Sequence, residues 1–277
     1  MSFPRGTGIP EARFRGGDRL LMTGVDLGLS MSGNGHRPPK AAMLVAQRIM
    51  RDVIKGGLKP GDLLMPERTM LEQYQAGRAT LREALRLLEF QGVIALKPGP
   101  RGGPVLQDPD ASHLAGMLVL LLQLKQAPFR SIVEVRSALE PMTSRLAAER
   151  ISDEALAELA ETVEAMRDHL DSQEVFLAAN KRFHDIIAWS SGNALFGYII
   201  DSLLGIMDGT VIGIDYPGPR RAAVVKAHDE ILQALRTRDP AASEQRMREH
   251  IDAYERYAKR KYPEVLDQVI RWDRLTS

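Results

Sequence analysis

The chain has 277 residues, with 37 Lys and Arg against 36 Asp and Glu, no cysteine and 5% aromatic residues. This length allows two ordinary domains, because single domains cluster at about 100–150 residues. The absence of cysteine excludes disulfides, thiolate metal ligands and cysteine nucleophiles, so a metal would have to bind histidine, carboxylate or amide groups. The longest apolar run, Leu114 to Leu124, is shorter than the ~20 residues that a membrane-spanning helix needs. It predicts a buried helix in a cytoplasmic protein without a membrane partner.

Residues 1–39 are rich in Gly, Pro, Ser and Arg, and their short apolar stretch is interrupted by Asp26 and by glycines. We therefore expect a flexible N-terminal extension rather than a secretory signal. The charge of the remaining chain is distributed unevenly: residues 40–107 carry eleven Lys or Arg against six Asp or Glu, whereas residues 108–277 carry 21 against 27. A basic segment joined to a larger acidic one is expected when only one of two domains contacts a polyanion.

Apolar residues recur every three or four positions through the first predicted domain, residues 40–107, and indicate amphipathic helices. Glycines and prolines mark the helix ends, as at Pro66, because the first turn of a helix does not need the amide that proline lacks. The predicted elements are helices at 40–56, 66–74 and 77–92, then short strands at 93–96 and 105–106 around a glycine-rich loop at 97–104. Three helices followed by a small β-hairpin wing are the order of a winged helix-turn-helix.

The third predicted helix has the features of a helix that reads DNA. Its start at Gly77 places backbone amides, the positive end of the helix dipole and Arg78 together, which suits a phosphate or a base edge in the major groove. Arg82 lies one turn further on the same face and can donate two hydrogen bonds to guanine. Further candidate contacts to phosphates or the minor groove are Arg68 before this helix and Lys97 and Arg101 in the wing. The alternative is that these helix arginines, with Arg86, only form a solvated basic face.

This segment resembles the GntR family of bacterial regulators. The resemblance is carried by Leu58-Lys59-Pro60-Gly61-Asp62, Pro66-Glu67-Arg68, Gly77-Arg78-Ala79-Thr80-Leu81-Arg82-Glu83-Ala84-Leu85, Leu88-Glu89, Gly92 and the glycine-rich wing. It implies a double-stranded DNA operator as partner and, as DNA-binding residues, Arg68, Gly77, Arg78, Thr80, Arg82, Lys97, Arg101, Gly102 and Gly103. The sequence departs from the family at Pro66 and Gly77, where serines commonly cap the helices. Glycine at a capping position costs roughly a few tenths of a kcal/mol, so we expect the fold to survive the change.

The rest of the chain is helical in period, with proline and glycine breakers between the segments. The predicted helices are 111–126, 130–150, 153–172, 174–190, 195–209, 220–237 and 240–260. Seven helices with short connections predict an all-α bundle over residues 108–260, followed by a tail at 261–277. The expected fold class is therefore mostly α, with the hairpin wing as the only sheet.

Three histidines in this second domain are candidate metal ligands. His184 lies four residues after Asn180, so both share one face of a helix, and His228 and His250 lie in later helices among apolar residues. Three imidazoles and one amide oxygen could converge on a transition-metal cation. The alternative is that they are surface residues or hydrogen-bonded core residues, which is the commoner fate of scattered histidines.

The second domain resembles the FCD ligand-binding domain of the FadR subfamily. The resemblance is carried by Arg136-Ser137-Ala138-Leu139-Glu140, Ala147-Ala148, Phe183-His184, Ser191-Gly192-Asn193, His228-Asp229-Glu230-Ile231, Met247 and His250. It implies that a divalent metal, with zinc, nickel and manganese all plausible, is held by Asn180, His184, His228 and His250. It also implies that Arg136 faces an effector pocket, whereas spacing alone equally allows an ion pair with Glu140. Asn180 stands where the family also uses Asp, which removes one negative charge from the site.

Together these features predict a homodimeric transcription repressor that is not an enzyme. It would bind a near-palindromic operator and be released by a small organic acid bound near the metal and Arg136. The helical domain is expected to supply the dimer contacts, and the apolar helix at 114–124 is either buried beneath them or takes part. Two other functions fit parts of the sequence: a metal-dependent hydrolase, since three histidines can activate water, and an architectural DNA-binding protein without effector.

Overall fold

The structure, a computed structural model, describes residues 40–99, 102–207 and 214–271. The predicted extension at 1–39 and the wing residue Arg101 lie outside these ranges. The described elements are α1 (Lys40–Gly56), α2 (Glu67–Tyr74), α3 (Arg78–Phe90), β1 (Ile94–Lys97), β2 (Gly103–Leu106), α4 (Ser112–Leu124), α5 (Arg130–Arg150), α6 (Asp153–Asp168), α7 (Gln173–Ser190), α8 (Ala194–Ile206), α9 (Gly218–Arg236), α10 (Pro240–Lys261) and α11 (Pro263–Asp267). The mostly α fold class is confirmed.

The first three helices and the hairpin share one hydrophobic core. The apolar stripe of α1, including Val45 and Ile49, packs against the buried face of α3, which carries Leu81, Leu85 and Leu88. The strands β1 and β2 pair antiparallel, from Ile94 opposite Leu106 to Lys97 opposite Gly103. The order helix, helix, helix, hairpin is that of the predicted winged helix-turn-helix.

The two unusual helix starts fold without a capping hydroxyl. Pro66 is the residue before α2 and Gly77 the residue before α3, and neither accepts a hydrogen bond from the helix through a side chain. Both have extended backbone angles, with ψ of 145° at Pro66 and 154° at Gly77. The backbone geometry of a capped helix start is therefore kept, and only the hydroxyl is missing.

The second region is a bundle built around α5, which packs against α7, α8, α9 and α10. All seven predicted helices are present, with ends shifted by a few residues. The prediction that the third of them reaches Ser172 is wrong, because α6 ends at Asp168. The hydroxyl of Ser172 instead accepts a hydrogen bond from the amide of Val175 and caps α7.

The bundle core continues beyond residue 260, where the sequence predicts a tail. The short helix α11 follows α10 after Tyr262, and Leu266 and Ile270 are buried among the core residues of the bundle. Its apolar side chains are too few to show a helical period, which is why the sequence pattern did not reveal it.

The apolar helix α4 is only partly covered, so the prediction of a buried helix is wrong. Ala115 and Val119 are buried, and α4 packs against α8. A second face is exposed: Leu114, Met117, Leu120, Leu121 and Leu124 are 37–72% accessible. Among the described residues, no helix is both long and apolar enough to cross a membrane.

Candidate functional site

Helix α3 separates its apolar and basic residues onto two faces. Leu81, Leu85 and Leu88 are buried, whereas Arg78 and Arg82 are exposed one turn apart. Neither arginine forms an ion pair with any residue that the structure describes. Their guanidinium groups are therefore available to an external acceptor such as a phosphate or a base edge.

The residues around α3 complete a basic surface. Arg68 on α2 is exposed and pairs loosely with Glu72 at 3.7 Å, so the pair can open at little cost. Lys97 is exposed at the end of β1. A Cβ atom at Gly102 would lie 2.1 Å from the carbonyl oxygen of Lys97, and Gly103 has φ of +147°, so the wing requires glycine at both positions.

The three predicted histidines meet inside the bundle. His184 comes from α7, His228 from α9 and His250 from α10, and all three side chains are buried. Each offers a ring nitrogen within 4.8 Å of the other two. The Nε2 atoms of His228 and His250 lie 3.3 Å apart. Two nitrogen ligands of one tetrahedral zinc ion are separated by about the same distance, because each zinc–nitrogen bond is about 2.0–2.1 Å long.

The surroundings keep the imidazoles of His228 and His250 neutral. Burial, together with the neighbouring imidazoles, holds the pKa values of His228 and His250 well below the usual range of histidine. The ring of Phe183 stacks on His228 with centroids 3.9 Å apart. Nδ1 of His228 is buried and has no hydrogen-bond partner among the described residues. A neutral imidazole is the form that binds a metal, so the site favours a cation over a proton.

A buried carboxylate orients the third histidine. Oε2 of Glu140 on α5 lies 2.5 Å from Nδ1 of His184, and its other oxygen accepts a hydrogen bond from Nε of Arg136. Although burial opposes ionisation, the charge of Arg136 and the hydrogen bonds from Arg136 and His184 lower the pKa of Glu140 to about 2. Because a carboxylate only accepts hydrogen bonds, Nδ1 of His184 carries the proton and Nε2 remains for a ligand.

Arg136 forms the ion pair with Glu140 that its spacing allowed. It is buried, it pairs with Glu140, and its Nη1 lies 3.1 Å from Sδ of Met207. The sequence did not predict the hydrogen bond between Glu140 and His184, because no periodicity links residues on α5 with residues on α7. Asn180 is half-buried one turn before His184, and its side chain makes no hydrogen bond to a described residue, so the side-chain amide is available to a ligand.

Comparisons with known proteins agree with both halves of this description. Residues 42–101 match the family model of bacterial regulatory proteins of the gntR family, and residues 131–253 match the FCD domain. A Bacillus subtilis protein named as the HTH-type transcriptional regulator YcbG is 34% identical over 210 residues, which cover 76% of this chain and 86% of the relative. The chain is a GntR-family regulator with an FCD domain. It is a DNA-binding transcriptional regulator.

Other relatives of this GntR-family regulator are transcription regulators as well. The repressor NanR of Salmonella newport is 25% identical over 237 residues, covering 83% of this chain and 89% of NanR. The regulator LutR of Bacillus subtilis is 26% identical over 205 residues, covering 72% of this chain and 93% of LutR. The solved structure of Streptococcus agalactiae GntR has the same fold, with a TM-score of 0.61 at 24% identity over 78% of this chain and 99% of that one.

The histidine cluster of the FCD domain fits a divalent transition metal. Its donors are three buried imidazoles, a ligand type that zinc, nickel and manganese accept. His184 donates a hydrogen bond to Glu140, and histidines that bind a metal are commonly oriented by such a hydrogen bond from their other ring nitrogen to a carboxylate. A metal held by three histidines keeps coordination positions for an oxygen ligand, so the arrangement suits the capture of a carboxylate.

Proposed function

We propose that this GntR-family regulator is a repressor that leaves its operator when a small carboxylate binds beside a divalent metal in the FCD domain. The observation that carries the proposal is the buried cluster of His184, His228 and His250 next to the Arg136–Glu140 pair. A site that binds a carboxylate needs positive charge, and a metal next to the guanidinium of Arg136 would supply it. NanR, a relative over most of the chain, is named as a repressor.

The metal would be held by His184, His228 and His250, with the amide oxygen of Asn180 as a fourth ligand. When bound, it supplies positive charge and open positions that a carboxylate oxygen can occupy. Arg136 donates only one of its nitrogens to Glu140, so further N–H groups remain for the effector. Zinc, nickel and manganese are all compatible with this donor set.

The operator would be read by α3. Arg78 and Arg82 contact base edges or phosphates in the major groove, Thr80 lies between them, and the amide end of the helix at Gly77 faces a phosphate. The supporting contacts come from Arg68 on α2 and from the wing residues Lys97, Arg101, Gly102 and Gly103. This assignment is supported by the exposure of the arginines and by the basic charge of residues 40–107.

The active unit would be a homodimer in the cytoplasm, with a two-fold axis that matches a near-palindromic operator. The dimer contacts are assigned to the exposed face of α4 in the helical domain, residues 108–260, because five large apolar side chains there are not covered by their own chain. The DNA-binding domain spans residues 40–107.

The proposal is tested by operator release. Duplexes selected from a random pool by the purified protein supply an operator, and fluorescence polarisation then measures its affinity with zinc, nickel or manganese and a panel of small carboxylic acids. At least one acid is expected to weaken operator binding only when metal is present. The variant His228→Ala should keep operator affinity but lose bound metal and the response to the acid.

His169→Ala is the matched control, because His169 is exposed at the end of α6 and lies outside the cluster. It should respond to the acid as the wild type does. If wild type and His228→Ala respond equally, or if chelation leaves the response unchanged, the metal-dependent sensor is excluded. Turnover of simple esters or amides by the metal-loaded protein would support a hydrolase instead.

A further inference from the structure

The first domain has an open apolar groove between α1 and the end of α3. Its volume is about 500 Å³, which is comparable with the roughly 300–1,000 Å³ of typical ligand pockets. We call it the α1 groove, and its apolar lining consists of Met43, Ala46, Met50 and Ile54 on α1 and Leu88 on α3. Met43 is 36% and Ile54 76% exposed, so the described residues leave this lining in contact with water.

Helix α1 therefore has two apolar faces. One face, with Val45 and Ile49, is buried in the core of the first domain, where α1 packs against α3. The adjoining face carries Met43, Met50 and Ile54 at helical spacing and forms one wall of the α1 groove. A surface helix needs only one apolar stripe to pack on its own core, so the second face indicates that a further segment covers it. From Met43 to Ile54 this face extends about 16 Å along the helix.

The polar rim of the α1 groove fits a peptide. It is formed by Gln47, Arg51 and Lys55 on α1 and by Gln91 after α3, and all four residues are exposed. A glutamine amide both donates and accepts hydrogen bonds, so it can pair with the N–H and C=O groups of an extended backbone. Neither Arg51 nor Lys55 forms an ion pair with any residue of the described ranges. The rim therefore favours an apolar peptide that carries a negative charge.

The sequence before α1 contains a segment with this chemistry. Within residues 25–31, apolar residues alternate with small or polar ones, and the apolar members are Val25, Leu27, Leu29 and Met31. In an extended chain, alternate residues share one face, and the six steps from residue 25 to residue 31 span about 20 Å. This length is close to that of the α1 groove. Asp26 is the only charged residue of the segment, and its sign is opposite to that of the rim.

The position of this segment in the chain also favours the α1 groove. Nine residues separate Met31 from Lys40, the first residue of α1, and an extended chain of that length reaches about 30 Å. The connection includes Gly33 and Gly35, which allow the chain to reverse its direction. A short tether gives an effective concentration of about a millimolar. A segment of the same chain therefore competes well with a free partner of similar affinity.

We propose that residues 25–31 bind in extended form in the α1 groove of their own chain. Val25, Leu27, Leu29 and Met31 face the apolar lining, and burial of this surface from water supplies the driving force. Leu88 and Gln91 lie at the end of α3 opposite to Arg78, so the bound segment leaves the proposed DNA-reading end of α3 open. The proposal depends on neither the metal nor the effector.

Crosslinking of the full chain tests this docking. The chain has no cysteine, so an introduced pair reports alone. Leu27→Cys is combined with Gln47→Cys on the groove rim, and a short bismaleimide is added. We expect this pair to crosslink within one chain at least about tenfold faster than a control pair, because docking raises the local concentration of the two thiols above that set by the tether. Mass spectrometry under denaturing conditions measures the rate and distinguishes one chain from two.

The control pair combines Leu27→Cys with Arg48→Cys. Arg48 is exposed and follows Gln47 directly, so the tether is the same, but it lies about 100° further around α1 and does not line the groove. Addition of Leu29→Asp to the first pair should lower its rate to that of the control pair, because a carboxylate is not tolerated in an apolar groove. Far-UV circular dichroism shows whether each variant is folded.

Three results would overturn the proposal. Equal rates for the Gln47 and Arg48 pairs would show that residues 25–31 do not prefer the α1 groove. A fast reaction that Leu29→Asp leaves unchanged would show that the apolar face of the segment is not what binds. A product with the mass of two chains would assign the groove to the segment of a second copy instead.

Discussion

Glu140 shows how one buried residue can hold a site together. It is buried on α5, yet it accepts hydrogen bonds from Arg136 on the same helix and from His184 on α7. Its negative charge offsets the buried positive charge of Arg136, because an unpaired buried charge is strongly destabilising. It also decides which nitrogen of His184 carries the proton, and so which nitrogen a metal can use.

Replacement of Glu140 by Gln should weaken metal binding. Gln keeps the shape but loses the negative charge that strengthens the hydrogen bond from His184 and fixes its ring, so we expect the metal dissociation constant to rise about 10–100-fold. Competition with a chromogenic chelator measures this constant. Glu134→Gln is the control, since Glu134 is exposed on the same helix, and it should leave the constant unchanged. Equal metal affinity in Glu140→Gln and the wild type would contradict the role given to Glu140.

Among the elements, α4 is strongly apolar although one of its faces is exposed to solvent. It is the most apolar run of the chain, but one chain covers only the side that carries Ala115 and Val119. Leu121 is 51% and Leu124 72% exposed. Contiguous exposed apolar surface marks interfaces in soluble proteins, because water leaves such surface when it is covered.

Leu121→Glu on α4 should shift the protein from dimer to monomer. A carboxylate in the centre of an apolar interface cannot be solvated, so association should weaken by at least an order of magnitude. Sedimentation velocity over a concentration series measures the change. Ile54→Glu is the control, because Ile54 is 76% exposed on α1, away from α4, and it should remain dimeric. A Leu121→Glu variant that is as dimeric as the wild type would place the interface elsewhere.

At the scale of the whole molecule, the proposed function requires that ligand binding in the acidic helical domain changes the free energy of operator binding by the basic α3. In the proposed function the effector and the operator bind different domains, and thermodynamic linkage then requires each to weaken the binding of the other by the same factor. A coupling of about 1–3 kcal/mol is typical of such regulators. In this proposal the effector contacts the metal and the operator does not, so the effect of the effector on the operator would depend on the metal.

Removal of the metal should therefore uncouple the two sites without abolishing DNA binding. After chelation, we expect operator affinity to equal that of the metal-loaded protein without effector, and addition of an active acid to have no effect. Polarisation of labelled operator and calorimetry of the acid, each with and without the other ligand, measure the factor in both directions. The prediction is wrong if the chelated protein still releases the operator on addition of acid.

The sequence by itself determined the order and class of the elements, because helical periodicity and breakers such as Gly77 and Pro66 act locally. It also pointed to His184, His228 and His250 through resemblance. Only the tertiary structure decided that these three side chains meet in one buried cluster, since α7, α9 and α10 are far apart along the chain. It likewise decided the partners of Glu140 and the exposure of α4. Each of these depends on which helix packs where, and that is a long-range property that no local pattern encodes.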